Sequence, residues 1–489
     1  MQVRTRIAPS PTGYPHIGTI YQAMFDFVFA KKYQGKFITR IEDTDRSRFV
    51  EGAEKVIFKS LDWFGLIADE DPRKGGEFGP YRQSERLDIY SKYAKQLIET
   101  GYAYYCFCTK ERLEKLRIEQ QQKKQPPMYD KLCLTLSKEE VEKRLSQALP
   151  CVIRLNVPKD QKIIVYDAIV GEVIFDSNQI DDQVLIKSDD YPTYHLAVVV
   201  DDYLMKITHV FRGSEWLSST PKHILLYQFL GWENSIPKYA HVPLLLDPEG
   251  GGKLSKRKGH AAVDFYQKEG YLPEAILNFL ANIVWNHPTG QEIFSLKEFE
   301  KAFELEPFKV MVKSQGARFD IKKLEWMNGE YIRMMSDLEL AKRLEDFLVD
   351  HPAKDKIVSL VPLVKERIKK LSDFIPLTNF LWEKPEYDME EFNKIKIDNK
   401  TEVLQKILEK LEMMKKPWET EVFEKTFRDL AQELEIKAGD MFQLIRITVS
   451  GQSVTPPLFE SIQVLGEDET INRAKSAVEF LQKSLLHRL

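Results

Sequence analysis

Two short stretches about 240 residues apart carry side chains suited to a phosphorylated ligand. The first reads Ala8-Pro9-Ser10-Pro11-Thr12-Gly13 and closes with His16-Ile17-Gly18-Thr19. A histidine can hydrogen-bond a phosphate oxygen, and a nearby glycine lets a nucleotide approach the backbone. The second places Lys253, Ser255, Lys256, Arg257 and Lys258 directly after the glycine-rich run 248–252, with His260 just beyond. Clustered cations on such a loop could close on a pyrophosphate as charge builds on it. Charge stabilisation of that kind is the main help a protein gives phosphoryl or adenylyl transfer. Singly, each stretch has a plainer reading: a strand-to-helix turn with a satisfied histidine, or a solvated basic loop. The pairing favours the chemical one.

The surrounding pattern supplies the elements these residues need. Residues 3–8 alternate polar and apolar side chains and predict a short strand entering a core. Pro9, Pro11 and Gly13 then force a loop. Residues 19–33 have helical spacing, with Ile20, Met24, Phe27 and Val28 on one face and Thr19 as the predicted N-cap. A strand, a loop and a helix N-terminus together suit an anion, because free backbone N–H groups and the helix dipole point at it. A second strand over 36–41 and a helix over 51–63 extend this to a doubly wound parallel sheet. The stretches at 194–200 and 207–211, with a helix over 220–230, are expected to return to the same sheet. An insertion lies between, with a helix at 110–122 and β-rich runs at 151–157 and 163–166. Beyond Lys258 the chain reads as mostly helical, with clear helical spacing over 357–371 and 402–414.

Length and composition bound the class. The 489 residues exceed one ordinary core and predict three to four domains. Hydrophobic content of 43% and charged content of 30% fit a globular protein. No apolar run reaches the ~18 residues of a membrane span, and no signal peptide opens the chain, so a cytoplasmic protein without a membrane partner is expected. The net charge of −4 argues mildly against a nucleic-acid partner, although a local basic stripe would suffice for one. Four cysteines, Cys106, Cys108, Cys133 and Cys151, are too few and too clustered for a disulfide framework.

Between the two motifs stands Arg40-Ile41-Glu42-Asp43-Thr44-Asp45-Arg46. Together with Gly79-Pro80-Tyr81-Arg82-Gln83-Ser84-Glu85-Arg86, Tyr191-Pro192-Thr193-Tyr194-His195-Leu196-Ala197, Phe319-Asp320, Trp326-Met327-Asn328-Gly329 and Thr455-Pro456-Pro457-Leu458-Phe459, it makes the chain resemble the glutamyl-tRNA synthetases of bacterial type, which are class I aminoacyl-tRNA synthetases. The resemblance runs essentially full length. It implies an α/β Rossmann-type catalytic domain with an inserted α+β acceptor-binding domain, followed by a mostly α-helical C-terminal half. The implied divisions are 1–80 and 194–245 for the catalytic domain, 81–193 for the insertion, 246–330 for the lysine loop and stem contacts, and 331–489 for anticodon binding. It also implies ATP with Mg²⁺, L-glutamate and a tRNA as ligands, and a monomer is expected. Whether the glutamine tRNA is charged as well stays open.

In this family glutamate attacks ATP to give glutamyl-adenylate and pyrophosphate, and the terminal ribose hydroxyl of tRNA then takes the glutamyl group and releases AMP. By resemblance, His16, Gly18, Lys253, Ser255, Lys256 and Arg257 form the catalytic set, and Pro9, Thr12, His16, Gly18, Trp216 and Lys256 contact ATP. Arg6, Ala8, Ser10, Glu42, Tyr194 and Arg212 line the glutamate pocket. Arg6 is expected to pair with the side-chain carboxylate, Ser10 to donate to it and Glu42 to hold the ammonium. Glutamine would leave a buried arginine without its anion, enough for ~10⁴ discrimination. Arg367, in the basic turn 365–370, and Arg446 match anticodon-reading positions; either could equally be a solvated charged face. Tyr21 replaces an arginine common in relatives. Many relatives hold a structural zinc in the insertion. Here Cys106, Cys108 and Cys133 offer three thiolates, and the fourth position falls on Thr135, a non-ligand. Zinc completed by Cys151 or Tyr129, or plain buried cysteines, remain as readings.

The rivals are weaker. Glutaminyl-tRNA synthetases place Pro-Glu where this chain has Pro9-Ser10, and they end in β-barrels rather than helices. A nucleotidyltransferase of the same superfamily would keep the histidine and lysine motifs but would not need the helical tail. A non-enzymatic RNA-binding paralogue would be expected to lose His16 or Lys256.

Overall fold

A computed structural model describes residues 2–247, 252, 254, 261–305, 317–349, 351, 354–414 and 416–486. Lys253, Ser255, Lys256 and Arg257 lie outside the described residues. The chain divides into two compact units, residues 1–266 with 273–321, and residues 267–272 with 322–489.

In the first unit, β1 (Arg4–Ile7) leads through the proline loop into α1 (Ile17–Lys32), then β2 (Lys36–Thr39) and α2 (Ala53–Trp63). β1 and β2 pair in parallel, Arg4 against Lys36 and Ile7 against Thr39. β1 is the short strand entering a core that the alternation over 3–8 predicts, and every one of its residues is buried. Its polar positions are answered from inside: Arg4 forms a bidentate pair with Glu70 at 2.8 Å, and the Thr5 hydroxyl donates to the Asp26 carbonyl at 2.6 Å.

The inserted region begins with α3 (Leu87–Glu99), β3 (Ala103–Cys106), α4 (Lys110–Gln122) and α5 (Lys138–Ser146). It continues through β4 (Val152–Leu155), the antiparallel hairpin β5 (Lys162–Asp167) and β6 (Gly171–Asp176), and β7 (Val184–Ile186). β3, β4 and β7 form their own antiparallel sheet. The chain then makes α6 (Tyr194–Leu204), β8 (His209–Gly213), α7 (Thr220–Phe229) and β9 (Lys238–Val242).

The stretch 194–200 is therefore helical. Leu196 to Val200 are all buried, and a continuous apolar run does not distinguish a buried helix from a strand. β8 and β9 pair in parallel, and β5 joins β9 in parallel, giving the order β6-β5-β9-β8. The Thr208 N–H donates to the Arg4 carbonyl at 2.9 Å, bringing β8 alongside β1. α1 covers this sheet and is buried almost all round. Phe25 meets Phe211, Phe299 and Phe303, ring against ring.

The second unit is helical. Its helices include Lys400–Met413, Thr420–Glu433, Ala438–Ser450, Leu458–Leu465 and Glu467–Leu486. Leu404, Ile407, Phe427 and Leu444 are fully buried in its core, each stabilising by about 1.5–3 kcal/mol relative to exposure. Among the described residues, no helix is long and apolar enough to cross a membrane.

Candidate active site

The first motif folds into the N-terminus of α1. The N-cap is His16 rather than the expected Thr19: the His16 ring accepts from the Gly18 N–H at Nδ1, 2.9 Å away. The imidazole reaches back over the first turn and satisfies the donor that a hydroxyl at position 19 lies too far along to meet. With Nδ1 accepting, Nε2 carries the proton, and it donates to the Leu254 carbonyl at 3.2 Å. The two motifs thus meet through a direct hydrogen bond. Flanking backbone bonds reinforce the junction, Ile17 N–H to Ala261 and Val263 N–H to Pro15. A cavity of about 350 Å³ opens beside them, lined by Ala8, Pro9, Ser10, His16, Gly18, Gly213, Glu215 and Trp216 among others. Thr12 is exposed and is not among the residues lining it.

A second cavity of about 650 Å³ is lined by Arg6, Ala8, Ser10, Glu42, Tyr194, Arg212 and Trp216, together with Gln22, Gln83 and Lys187. Ala8, Ser10 and Trp216 line both cavities. Trp216 is 38% exposed and its ring centroid lies 4.7 Å from that of Tyr194.

Beneath this cavity runs a buried ionic core. Arg6 pairs with Asp202 through two nitrogens at 3.2 Å. Arg40, fully buried, reaches Asp202 at 2.7 Å, Glu42 at 3.1 Å and Asp201 at 3.6 Å. Arg86 pairs with Asp201 at 2.7 Å, and the Gln83 amide donates to Asp201 at 2.9 Å. Three guanidiniums thus face three carboxylates. Burial alone would push the Asp202 carboxyl up, but Arg6 and Arg40 hold it below the usual carboxylate range. Glu42 differs: burial outweighs Arg40 and Arg6 and leaves its carboxyl raised. A cation arriving beside it would relieve that cost.

Arg212 stands apart from this core. Among the described residues, the acceptors its guanidinium meets are neutral: His241 Nε2 at 3.0 Å, the Thr220 hydroxyl at 2.8 Å, the Tyr194 hydroxyl at 3.2 Å, and the His223 ring and Trp216 carbonyl at 3.4 Å. A buried arginine answered only by neutral groups at a cavity wall is suited to an anionic ligand. His195 and His223, 3.1 Å apart, lie behind it. Burial first, and then nearby cations, depress His195 to about 3 and His223 far below its ordinary value, so both rings are neutral near pH 7.

Sequence reasoning assigned no role to Asp201, Asp202, His223 or His241. An acidic pair inside the otherwise apolar run of α6 was the available signal. The segment 79–86 turns out to anchor the core: Gln83 and Arg86 bind Asp201, and the Ser84 N–H and hydroxyl bind Asp43 at 2.8 and 2.6 Å.

In the inserted region the ligand atoms of Cys106, Cys108 and Cys133 lie within 4.8 Å of one another. Cys108 Sγ is 3.5 Å from Cys133 Sγ and 3.3 Å from the Tyr129 hydroxyl. Burial pushes the Cys108 thiol up to about 11. Cys106 is lowered although burial opposes it, through hydrogen bonds from Tyr129, the Cys108 backbone and Arg154. Thr135 is exposed and donates to the Leu132 carbonyl at 2.8 Å, outside the cluster.

In the second unit, the basic segment 365–370 is not a turn of helix. The helix Ile357–Val364 contains Pro362 and ends before it, and the Asp373 carboxylate captures the N–H groups of Lys369 and Lys370 at 2.9 and 3.1 Å. Arg446 is half-buried, its guanidinium donating to the Thr455 hydroxyl at 3.1 Å and the Gln443 side chain at 2.9 Å. Burial, then the charge of Arg367, lower its pKa.

Comparison with known proteins agrees with this geometry. Residues 2–326 match the family of class I tRNA synthetases (E and Q), catalytic domain, and residues 339–478 match an anticodon binding domain. A glutamate–tRNA ligase of Pseudomonas putida (strain GB-1) is 43% identical over 98% of this chain and 96% of its own length. One from Dehalococcoides mccartyi is 43% identical over 99% of each chain. The crystal structure of a glutamate tRNA ligase from Elizabethkingia meningosepticum in complex with its amino acid superposes with a TM-score of 0.86 at 36% identity, over 98% of this chain and 99% of that one. The chain belongs to the class I tRNA synthetases of the E and Q type, among the glutamate–tRNA ligases.

Proposed function

We infer that this chain ligates L-glutamate to its tRNA in an ATP-dependent reaction through a glutamyl-adenylate, releasing pyrophosphate and AMP. The observation carrying this reading is the pair of adjoining cavities, one against the His16 N-cap and the other walled by Arg212 and Glu42. The glutamate α-carboxylate attacks the α-phosphorus of ATP and pyrophosphate leaves. The terminal ribose hydroxyl of the tRNA then attacks the anhydride carbonyl, and AMP leaves. Both nucleophiles belong to the substrates, so positioning and charge stabilisation carry the rate.

Arg212 and Arg6 would meet the side-chain carboxylate, Ser10 would donate to it, and Glu42 would receive the ammonium. Ala8 and Trp216 would shape the wall shared by the two cavities. His16 and the first turn of α1 would hold triphosphate oxygens, with Pro9, Thr12 and Gly18 at the nucleotide. Lys253, Ser255, Lys256 and Arg257 would close on the departing pyrophosphate. Mg²⁺ keeps most of its waters and takes one or two carboxylates, and Glu215 lines the smaller cavity, so a cation carried in on the triphosphate fits the residues present. Its chemistry there is neutralisation of phosphate charge.

Residues 1–80 and 194–245 serve catalysis in this reading, 81–193 the acceptor end, 246–330 the lysine loop and stem contacts, and 331–489 the anticodon through Arg367 and Arg446. A cytoplasmic monomer belongs to the same reading. Lys256→Ala is expected to lower glutamate-dependent ATP–pyrophosphate exchange, measured with tRNA present, by about 10²–10³-fold. Exchange at the wild-type rate would remove the lysine loop from the mechanism.

The three thiols fit Zn²⁺. Their spacing brackets the ~3.8 Å edge of a tetrahedron built on Zn–S bonds of ~2.3 Å. Cys106, Cys108 and Cys133 would hold the ion, with the Tyr129 hydroxyl as the nearest fourth donor, and its part would be to fix β3 against the following loop. Elemental analysis of the full chain should return about one zinc, lost in Cys133→Ser. A zinc-free protein after purification in zinc-supplemented buffer would leave the cysteines as plain core.

A further inference from the structure

Arg212 is held from behind by a buried chain of two more side chains. Arg212 on β8 and His241 on β9 are register partners, and the Arg212 Nε–H donates to His241 Nε2 at 3.0 Å. His241 Nδ1 lies 2.6 Å from the Asp167 carboxylate at the end of β5. That carboxylate also accepts the His241 N–H at 3.1 Å and the Ile169 and Val170 N–H groups at 2.9 and 2.8 Å. Arg212, His241 and Asp167 are 3%, 1% and 4% exposed.

These bonds fix the proton. A carboxylate accepts only, so Nδ1 carries the hydrogen and the Nε2 lone pair faces the guanidinium. Burial holds His241 below its ordinary value, against Asp167 and with Arg212, so the ring stays neutral. Asp202, shared with Arg40, binds Arg6 directly, whereas Asp167 reaches Arg212 only through an imidazole. The ring takes the Nε edge and the Thr220 hydroxyl holds Nη2, while Nη1 lies against Tyr194, which lines the larger cavity with Arg212.

We propose that Asp167 and His241 are positioning residues for selection of the anionic substrate: Asp167 sets the His241 tautomer, and His241 aims Arg212 at the substrate carboxylate. This rests on the reading of Arg212 as a glutamate contact. The device draws on the inserted region, since Asp167 arrives on the hairpin that joins the catalytic sheet.

The test compares two amides in the full-length enzyme. In His241→Gln the side-chain oxygen can replace Nε2 as the acceptor for Arg212. In His241→Asn the shorter amide can meet Asp167 but not Arg212. His241→Asn is expected to raise the glutamate KM about ten- to a hundredfold, the worth of a hydrogen bond to a charged group, with the ATP KM and Tm unchanged and discrimination against glutamine narrowed. His241→Gln should recover most of the loss. Equal behaviour of the two amides, or an effect on kcat or Tm alone, would overturn the proposal. A second measurement needs no variant: ¹⁵N-histidine correlation spectra should place the His241 proton on Nδ1, and an Nε2–H tautomer would equally overturn it. Arg212→Ala separates the two levels of the argument. If it leaves the glutamate KM unchanged, the reading of the pocket fails. If it raises KM while His241→Asn does not, only the positioning role is withdrawn.

Discussion

A β-carbon on Gly18 would stand 3.0 Å from His16 Nδ1, and this contact, rather than nucleotide approach alone, accounts for a glycine at that position. The Gly18 N–H is the donor that orients the imidazole, so a side chain there would push on the group it positions. Gly18 lies in the first turn of a helix, where alanine is the better helix former by ~1 kcal/mol. Gly18→Ala is therefore expected to keep or slightly raise thermal stability while lowering adenylate formation about ten- to a hundredfold, because a small misplacement of a catalytic group is expensive in rate. Melting curves and pyrophosphate exchange on one preparation would check both halves. Wild-type exchange would show that the His16 ring tolerates the shift. Histidine and glycine at this spacing were legible in the sequence, but the N-cap role of His16 was not. It depends on a ring reaching back over two residues, whereas Thr19 is the ordinary capping type.

Among the elements, α6 ties the sheet together by a charge rather than by packing alone. Asp202 binds Arg6 on β1 and Arg40 just beyond β2, so one carboxylate links three segments. Removing it leaves two buried guanidiniums short of an anion, which costs about 3–5 kcal/mol, against ~0–1 for an exposed pair such as Arg73–Asp62. Asp202→Ala should show that loss in urea unfolding of the full chain; a change under ~1 kcal/mol would mean the core repacks or admits water. The same core explains which elements could be read from sequence. Helix 19–33 and the strands near residues 3–8 and 36–41 carry their own periodicity and were legible within two residues. The stretch 194–200 was ambiguous because burial on all sides erases the period. The segment 365–370 looked helical by composition, but Asp373 competes for its N–H groups, a contact no local pattern announces.

Over the whole molecule, the two motifs lie about 240 residues apart in sequence, and the His16–Leu254 bond joins them directly. The residues proposed to face the ligands could be chosen from sequence because each motif carries its own chemistry. Their supports could not: Asp202 lies 196 positions from Arg6, and Asp167 lies 74 from His241. Such partners are chosen by topology, and a single sequence gives no spacing from which to read them. The pairing of β5 with β9, which delivers Asp167, likewise required the fold. That this chain joins glutamate to tRNA is tested most directly by charging separate glutamate and glutamine tRNA transcripts with the full-length protein, radiolabelled glutamate and ATP. Charging of the glutamate tRNA is the predicted result, with any charging of the glutamine tRNA marking a non-discriminating enzyme. Charging of neither, in a protein with intact melting behaviour, would mean that the chain does not ligate glutamate to tRNA.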